Sequence, residues 1–287
     1  MQIVTDRGAD LTPEQLEGLN VYFAPLIVTL DGKTYRSGVD IQSDEFLQKL
    51  EETEAYPTTS QPSAGDFAAL YRKLAETDPE ILSIHISSGL SGTLNAARAG
   101  AAMVPEAHVT FFDTKTLSCP EGWHVEAAAR AAKAGWSMEK TLALLERIRA
   151  ATEGMFTITT MKYLIHGGRV SHLKGLVASL LNIKPVIGVA KDTGMYITLG
   201  QEMTLRRAIQ KLVDVVQSWY PTGSSIRIQL LHANNLAGIE QLGAKLSELF
   251  DVTFIKPAQI GPVLAAHTGA GLVGLSVAPQ AIFDELA

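Results

Sequence analysis

The sequence predicts an α/β fold in two domains, on the basis of two patterns along the chain. In residues 1–152, short runs rich in β-branched and aromatic residues alternate with amphipathic helical patterns, which is typical of a mostly parallel sheet flanked by helices. Beyond residue 152 a hairpin signal precedes alternating helices and strands, which indicates an α+β layer domain with a mixed sheet. We therefore expect an N-terminal domain over residues 1–152 and a C-terminal domain over residues 153–287.

The elements of the N-terminal domain follow from hydrophobic periodicity and from capping signals. Ser63 with Asp66 three residues later forms a capping-box pattern, which predicts that a helix begins at Ala64. Loops beyond the carboxyl ends of parallel strands are expected to carry function. The predicted strands are Ile3–Thr5, Val21–Leu30, Ile81–Ser87 and Val109–Asp113. The predicted helices are Asp44–Glu54, Ala64–Glu76, Thr93–Met103, Val125–Ala134 and Ser137–Glu153.

The elements of the C-terminal domain begin with a hairpin around Lys191–Gly194, a segment rich in turn residues between two apolar runs. The runs on either side are predicted strands, and helices and strands alternate after them. The predicted strands are Val186–Ala190, Met195–Leu199, Ile226–His232, Val252–Ile255 and Leu272–Val277. The predicted helices are Leu205–Tyr220 and Ala237–Phe250.

Composition excludes several classes of protein. The 287 residues are 46% hydrophobic and 19% charged, which is typical of a globular protein with ample core. A net charge of −6 argues against nucleic-acid binding. The single cysteine, Cys119, excludes an internal disulfide and fits a reducing compartment. No apolar stretch has the length of a membrane span, so we expect a cytoplasmic protein without stable membrane insertion.

Two hydroxyl-rich turns, Thr58–Ser63 and Ser87–Thr93, each precede a predicted helix. The amino end of a helix carries partial positive charge, and its free amides together with hydroxyl groups bind anions. Two such turns that face one pocket would hold a carboxylate or a phosphate. Neither turn contains Arg or Lys, which phosphate sites more often recruit, so a carboxylate is favoured.

The second turn also supports an alternative, a serine esterase. Gly89–Thr93 nearly matches the G-x-S-x-G nucleophile elbow, and the chain order Ser91, Asp113, His267 suits an α/β-hydrolase. Thr93 replaces the second glycine of that elbow, and the first hydroxyl-rich turn has no role in a catalytic triad. Ser91 is equally compatible with capping the helix that follows. The pattern leaves a hydrolase using Ser91 and His267 as the alternative to anion binding.

Two further residues are candidates for a site. His267 lies just before a glycine-rich turn and is expected to act as a hydrogen-bond donor or weak cation near the anion. Arg169 follows Gly167 and Gly168 at the end of a helical pattern, so it belongs to a solvated face or to a surface that docks an acidic partner or a phosphorylated group. The sequence has no H-x-x-x-H, H-E-x-x-H or G-x-x-x-x-G-K-[ST] pattern, and we predict no metal site and no nucleotide site.

Taken together, these motifs resemble those of the DegV family of bacterial fatty-acid-binding proteins. They occur in the family's order and span almost the whole chain. The sequence departs from the family pattern at Arg7, where Ser is usual, at Pro120, where Gly is usual, and at Ala270, where Pro is usual. The matching segments are Ile3–Asp6, Thr59–Ser63, Ser87–Thr93, Tyr163–Leu164, Gly167–Arg169, Lys184–Pro185, and His267 with Gly269, Gly271 and Gly274.

The resemblance implies a lipid carrier without a catalytic residue or cofactor. Its expected ligand is one long-chain fatty acid, such as palmitate, stearate or oleate, with the acyl chain in an apolar tunnel between the domains. The residues that the resemblance assigns to the carboxylate are Thr59, Ser60, Ser91, Gly92 and His267, through the hydroxyls of Thr59 and Ser91 and the amides of Ser91 and Gly92.

The resemblance also implies a protein partner. Such carriers present the carboxyl group to a fatty acid kinase, which forms an acyl-phosphate. The arginine of the Gly-Gly-Arg turn, Arg169 here, is the residue expected to dock that kinase. Chemistry would then take place in the partner.

Overall fold

The structure is a computed structural model that describes residues 1–173 and 182–286. Its helices and strands alternate as the sequence predicts in most of the chain. The strands are β1 Gln2–Asp6, β2 Val21–Ala24, β3 Ile27–Leu30, β4 Lys33–Arg36, β5 Thr58–Ser60, β6 Glu80–His85, β7 His108–Asp113, β8 Glu153–Thr157, β9 Lys184–Val189, β10 Tyr196–Glu202, β11 Ser225–His232, β12 Asp251–Gln259 and β13 Val273–Pro279. The α-helices are α1 Pro13–Leu16, α2 Ser43–Glu52, α3 Ala64–Ala75, α4 Thr93–Ala101, α5 Ser118–Lys133, α6 Met138–Ala151, α7 Lys162–His166, α8 Leu205–Trp219, α9 Leu236–Ser247 and α10 Pro262–Thr268.

The first half of the chain forms a parallel sheet with strand order β2-β1-β6-β7. Helices α3 and α4 cover one face, where Val4 and Ile81 pack against Phe67. Helices α5 and α6 cover the other face, where Ile3 packs in the same core as Trp123. The hydroxyl-rich turn Ser87–Thr93 follows the carboxyl end of β6, where a functional loop is expected.

The second half forms a six-stranded mixed sheet with order β10-β9-β8-β13-β11-β12. Only β11 and β12 run parallel, and the other neighbours in this sheet are antiparallel. Helices α8 and α9 share a core with this sheet. A parallel sheet followed by a mixed sheet confirms the predicted α/β fold.

Helix α5 lies between the two large sheets. It contacts β1 and β6 of the parallel sheet as well as β8 and β13 of the mixed sheet. From Ser118 to Ala129 every residue is buried, which explains why its apolar residues do not form a single stripe. Among the described residues, no helix combines the length and the apolar character needed to cross a membrane.

Proline accounts for two of the differences from the predicted elements. The predicted strand Val21–Leu30 is two strands in different sheets, because Pro25 lacks the amide that a continuous ladder requires. Helix α5 begins at Ser118 rather than Val125, since Pro120 is tolerated in the first turn. The sequence did not predict α1, β4, β5, β8 or α10. Strand β5 completes a three-stranded antiparallel sheet with order β4-β3-β5.

A buried carboxyl group joins three segments near the start of the chain. Asp10 Oδ1 accepts a hydrogen bond of 2.8 Å from the amide of Gly261, and Asp10 Oδ2 accepts one from Ser118 Oγ. These bonds fix the first turns of α10 and α5 relative to the loop after β1. Burial raises the pKa of Asp10 to about 7, although both hydrogen bonds oppose that shift.

Replacement of Asp10 by Asn should make the free energy of unfolding change more favourably with rising pH than in the natural protein, between about pH 4 and pH 7. The folded state holds a proton on Asp10 that the unfolded chain releases near pH 3.8, so this group lowers the free energy of unfolding as pH rises through the window. The lowered pKa values of His124 and His267 act in the opposite direction, so the difference between the slopes of variant and natural protein isolates Asp10. One such group contributes a slope of about 1 kcal/mol per pH unit. Urea unfolding across this range measures both slopes.

Asp192→Asn is the matched control, because Asp192 is exposed. This variant should retain the slope of the natural protein. Equal slopes for Asp10→Asn and the natural protein would contradict the assignment.

Candidate functional site

Four of the five residues predicted to bind the carboxylate line one pocket between β5, the turn after β6, and α10. The pocket contains about 540 Å³ of space, part of it open to solvent. Thr59, Ser60, Ser91 and His267 all line it, as do apolar side chains from both halves of the chain. The apolar lining consists of Leu26, Ile86, Leu90, Leu117, Val263 and Leu264. A polar end beside an apolar wall suits an amphipathic ligand.

Thr59 reaches the pocket from a strand rather than from a helix start. It pairs with Val28 across β3 and β5, and its Oγ1 lies 2.9 Å from His267 Nε2. Helix α3 begins later and is capped by Ser63, whose Oγ accepts a hydrogen bond from the amide of Asp66. The first hydroxyl-rich turn therefore presents the hydroxyl of Thr59 from a strand. The amides at the amino end of a helix, which were expected to bind the anion here, do not lie at Thr59.

The turn Ser87–Thr93 presents Ser91 through its hydroxyl. The Ser91 amide already donates to Ser87 O at 3.0 Å, so the expectation that it faces a ligand is wrong. Ser91 Oγ lies 2.8 Å from Thr93 Oγ1 and accepts from the Thr93 amide at 3.3 Å. Helix α4 begins at Thr93, with Gly92 as the residue before it. Gly92 does not line the pocket itself, but its amide makes no hydrogen bond with another described residue.

His267 is neutral near pH 7. Burial and the nearby charge of Arg169 lower its pKa to about 4, so the expected weak cation is wrong. Its Nδ1 is buried without a hydrogen-bond partner among the described residues, and an unpaired acceptor is tolerated better than an unpaired N–H. We therefore assign the proton to Nε2, which donates to Thr59 Oγ1. That leaves the Thr59 hydroxyl hydrogen free to donate into the pocket.

Arg169 lies in the pocket wall and gives the site one positive charge. It follows Gly168, whose φ of 76° turns the chain after α7, and begins a short 3₁₀ helix, Arg169–His172. Its Nη1 donates to Gly167 O at 2.7 Å, and the side chain is half-buried. The sequence predicts an exposed docking residue and two turns without Arg or Lys, whereas the structure places this arginine, half-buried, in the pocket wall beside those turns.

Two polar residues of the pocket were not predicted. Gln61 belongs to the first hydroxyl-rich turn, and a Cβ atom on Gly92 would lie 3.1 Å from its Nε2. Tyr196 comes from the start of β10, and burial raises the pKa of its hydroxyl. Gln61 lies within a hydroxyl-rich turn, and this position in the sequence could have indicated it as a pocket residue. Tyr196 carries no such signal, because an aromatic residue in a strand is most often part of the core.

A second cavity of about 420 Å³ adjoins the first, and part of it is also open to solvent. Leu117, Tyr196 and Leu264 line both spaces, so these three side chains form the boundary between them. The second cavity is mainly apolar. Its other apolar lining residues are Pro120, Met155, Phe156, Val189, Leu231, Ile260, Leu272 and Leu275.

The three departures from the family pattern have different surroundings. Pro120 lines the second cavity, where a Cβ atom on Gly154 would lie 2.7 Å from its ring. Ala270 contributes its carbonyl, which accepts a hydrogen bond of 3.0 Å from Thr159 Oγ1. The Arg7 guanidinium lies 4.1 Å from the ring centroid of Phe23. Of the three, only Pro120 lines either cavity.

The arrangement of hydrogen bonds disfavours a serine nucleophile. His267 Nε2 is paired with Thr59, and Asp113 accepts hydrogen bonds from the amide and the hydroxyl of Ser88. Ser91 Oγ is paired with Thr93. No Ser91–His267–Asp113 relay is therefore assembled in residues 1–173 and 182–286. The same residues contain no group of three or more His, Cys, Asp or Glu arranged to hold a metal ion.

Comparison with known proteins identifies the family. A family model described as an uncharacterised protein of the DegV family matches residues 1–280. The chain belongs to the DegV family. A DegV domain-containing protein of Staphylococcus aureus (strain N315) is 36% identical over 275 residues, which cover 96% of this chain and 97% of that protein.

Solved structures of similar proteins share this fold. A fatty-acid-binding DegV-family protein from Thermus thermophilus matches with a TM-score of 0.87 and 32% identity, over 97% of this chain and 99% of that one. DegV of Bacillus subtilis, a fatty-acid-binding protein, has a TM-score of 0.86 and 28% identity over 97% and 99%. A stearic-acid-binding protein from Eubacterium ventriosum has a TM-score of 0.81 and 26% identity over 98% and 99%.

Gly89→Ala should destabilise this DegV protein by about 1–3 kcal/mol, because the turn Ser87–Thr93 packs directly on another backbone segment. A Cβ atom at Gly89 would lie 2.5 Å from Thr193 O and 2.9 Å from Gly194 O, and backbone has little freedom to retreat. Thermal or urea unfolding measures the effect.

Gly65→Ala is the matched control, since its Cβ atom would meet Ser63 Oγ at an ordinary 3.5 Å inside α3. This variant should be as stable as the natural protein or more so. Equal stability of the two variants would show that the contact at Gly89 is unimportant.

Proposed function

We propose that this DegV protein binds one long-chain fatty acid, with its carboxylate in the first cavity and its acyl chain in the second. The observation that carries the proposal is the pair of adjoining cavities, one with polar groups and one mainly apolar, separated by three shared side chains. Fatty-acid binding by relatives of 26% to 32% identity supports it. Palmitate, stearate and oleate are the ligands we expect.

The carboxylate is proposed to accept hydrogen bonds from the hydroxyls of Thr59 and Ser91. Neutral His267 binds Thr59 Oγ1 through its Nε2 hydrogen, so the threonine hydroxyl points its own hydrogen at the ligand. Ser60 and the Gly92 amide complete the set of donors. The hydroxyls, the amide and the imidazole are all neutral. The guanidinium of Arg169 therefore supplies the only full positive charge among the described residues that line the pocket.

The acyl chain is proposed to provide most of the affinity. A chain of about 16 carbons contributes roughly 12 kcal/mol at ~0.8 kcal/mol per buried methylene, before the ordering costs of binding. A net contribution of about 1 kcal/mol is usual for one hydrogen bond. The polar end therefore orients the ligand, whereas the apolar wall retains it.

Native mass spectrometry of the purified protein tests the proposal. The expected spectrum shows one bound fatty acid per chain, released on denaturation and identified by its mass. A protein that carries no fatty acid and takes up none of added palmitate, stearate or oleate would overturn the proposal.

Thr59→Val and Ser91→Ala should each weaken fatty-acid binding by about 5-fold to 30-fold, the equivalent of one or two lost hydrogen bonds. Displacement of a fluorescent fatty acid measures the affinity. Thr58→Val and Ser88→Ala are matched controls, because both residues are exposed neighbours that do not line the pocket. If the control variants lose as much affinity as the two test variants, the loss is not a property of the proposed site.

We further propose that the protein presents the bound carboxyl group to a fatty acid kinase for acyl-phosphate formation, and is itself not an enzyme. The first cavity is partly open to solvent, and half-buried Arg169 is available both to the ligand and to a docked surface. Among the described residues Ser91 Oγ is paired with Thr93 and His267 with Thr59, which supports placing the chemistry in the partner. The cytoplasm, where such a kinase would work, remains the predicted location.

Arg169→Gln should lower acyl-phosphate formation by a fatty acid kinase and also weaken fatty-acid binding several-fold, because the guanidinium lines the pocket. The kinase reaction at saturating fatty acid separates the two effects. Lys162→Gln is the control, since Lys162 is exposed on α7 nearby. Unchanged turnover and unchanged affinity in Arg169→Gln would remove both proposed roles of this residue.

A further inference from the structure

Tyr196 spans the boundary between the two cavities. It is the first residue of β10 and pairs with Val189 of β9. Its ring packs edge-to-face on Phe156, with 5.7 Å between the ring centroids, and Phe156 lines only the second cavity. Arg169 lines only the first cavity, and its charge opposes the rise in the pKa of the Tyr196 hydroxyl that burial causes. The side chain of Tyr196 is therefore shared between the apolar cavity and the polar one.

The hydroxyl of Tyr196 is unpaired and open to this space. A buried tyrosine hydroxyl usually has a hydrogen-bond partner, as Tyr71 has in Ser83 at 2.7 Å. The Tyr196 hydroxyl forms no hydrogen bond with another described residue, yet it is not one of the unpartnered polar atoms that are closed off from solvent. Its oxygen therefore has accessible surface, and the cavities lie beside it.

The part of a ligand that passes Tyr196 follows from the proposed positions of its two ends. The carboxylate is proposed to lie beside Thr59 and Ser91 in the first cavity, and the acyl chain to continue into the second. The carbons nearest the carboxyl group then cross the boundary that Tyr196 forms with Leu117 and Leu264. The two leucines offer only apolar contacts to these carbons, whereas Tyr196 adds a hydroxyl.

The carboxylate does not need this additional donor. Its two oxygens have about four acceptor positions. The hydroxyls of Thr59, Ser60 and Ser91 and the amide of Gly92 are four neutral donors already proposed for them, and Arg169 lines the same cavity. The Tyr196 hydroxyl is therefore available to another polar group of the ligand.

An unsubstituted acyl chain leaves the Tyr196 hydroxyl without a partner. Methylene groups displace water from the phenol but accept no hydrogen bond, which disfavours binding. A hydroxyl on carbon 2 or carbon 3 of the ligand can accept a hydrogen bond from Tyr196 and donate its own hydrogen to the nearby carboxylate of the same molecule. Both hydroxyl hydrogens then have an acceptor.

We propose that this DegV protein prefers long-chain fatty acids with a hydroxyl group on carbon 2 or carbon 3, and that Tyr196 recognises this group. The proposal rests on the proposed fatty-acid function and extends the ligand class beyond the unsubstituted acids. A hydroxyl at the far end of the chain should instead weaken binding, because the second cavity is mainly apolar.

Displacement of a fluorescent fatty acid from the full chain tests the preference. The competitors are palmitate, 16-hydroxypalmitate, and the separate enantiomers of 2-hydroxypalmitate and 3-hydroxypalmitate. At least one 2-hydroxy or 3-hydroxy enantiomer should bind about 5-fold to 10-fold more tightly than palmitate, the equivalent of one net hydrogen bond. The 16-hydroxy acid should bind more weakly than palmitate.

Tyr196→Phe should reverse this preference, since it removes the hydroxyl and keeps the ring that packs on Phe156. The variant should bind palmitate more tightly than the natural protein does, and the preferred hydroxy acid more weakly. Tyr220→Phe is the matched control, because Tyr220 is a partly buried tyrosine that lines neither cavity. It should keep the preference of the natural protein.

The possible failures can be told apart. Weaker binding of palmitate and of the hydroxy acids alike in Tyr196→Phe would place this hydroxyl on the carboxylate and overturn the proposed preference. An unchanged ratio of the two affinities in Tyr196→Phe would also overturn it, while palmitate binding would leave the proposed function intact. Absence of binding by every fatty acid would overturn the proposed function and this preference together.

Discussion

The burial of one helix between two sheets is the constraint on which the rest of this structure depends. Helix α5 contacts the parallel sheet on one side and the mixed sheet on the other, so its small residues, such as Ala127 and Ala128, must allow both layers to approach. Its first turn places Pro120 in the wall of the second cavity. The cavity proposed to hold the acyl chain is therefore bounded by the helix that joins the two layers.

The polar site illustrates how burial decides the charge of a pocket. Removal from water keeps His267 neutral, and the positive charge of Arg169 reinforces that effect. A neutral imidazole can orient the hydroxyl of Thr59 without competing for the anion. One guanidinium and several neutral donors then face the pocket, a weaker attraction for phosphate than a cluster of cations would give.

Sequence periodicity predicted the elements that bury one face in a regular pattern. It did not predict elements whose structure depends on contacts with distant parts of the chain. The hairpin of β9 and β10 and the strands β6 and β7 follow from alternating apolar residues and turn residues. Strand β5 is only Thr58–Ser60 and is polar, so only its pairing with β3 reveals it. The hydroxyl-rich turns indicated an anion site, and the family resemblance assigned Thr59 and Ser91 within them, whereas Tyr196 and Arg169 enter the pocket through long-range packing that one sequence does not display.

In the proposed function, the division between a polar end and an apolar cavity explains how the carboxylate of a bound fatty acid can react while the carrier retains the acyl chain. Neutral hydroxyls contribute about 1 kcal/mol each, and the acyl chain contributes roughly ten times as much. The head group can therefore change from carboxylate to acyl-phosphate while the chain stays bound. A pocket lined by several cations would hold the two head groups with very different strength and would impede either loading or release. Hydroxyl donors beside a single arginine keep the two states closer in free energy, as reversible transfer between carrier and kinase requires.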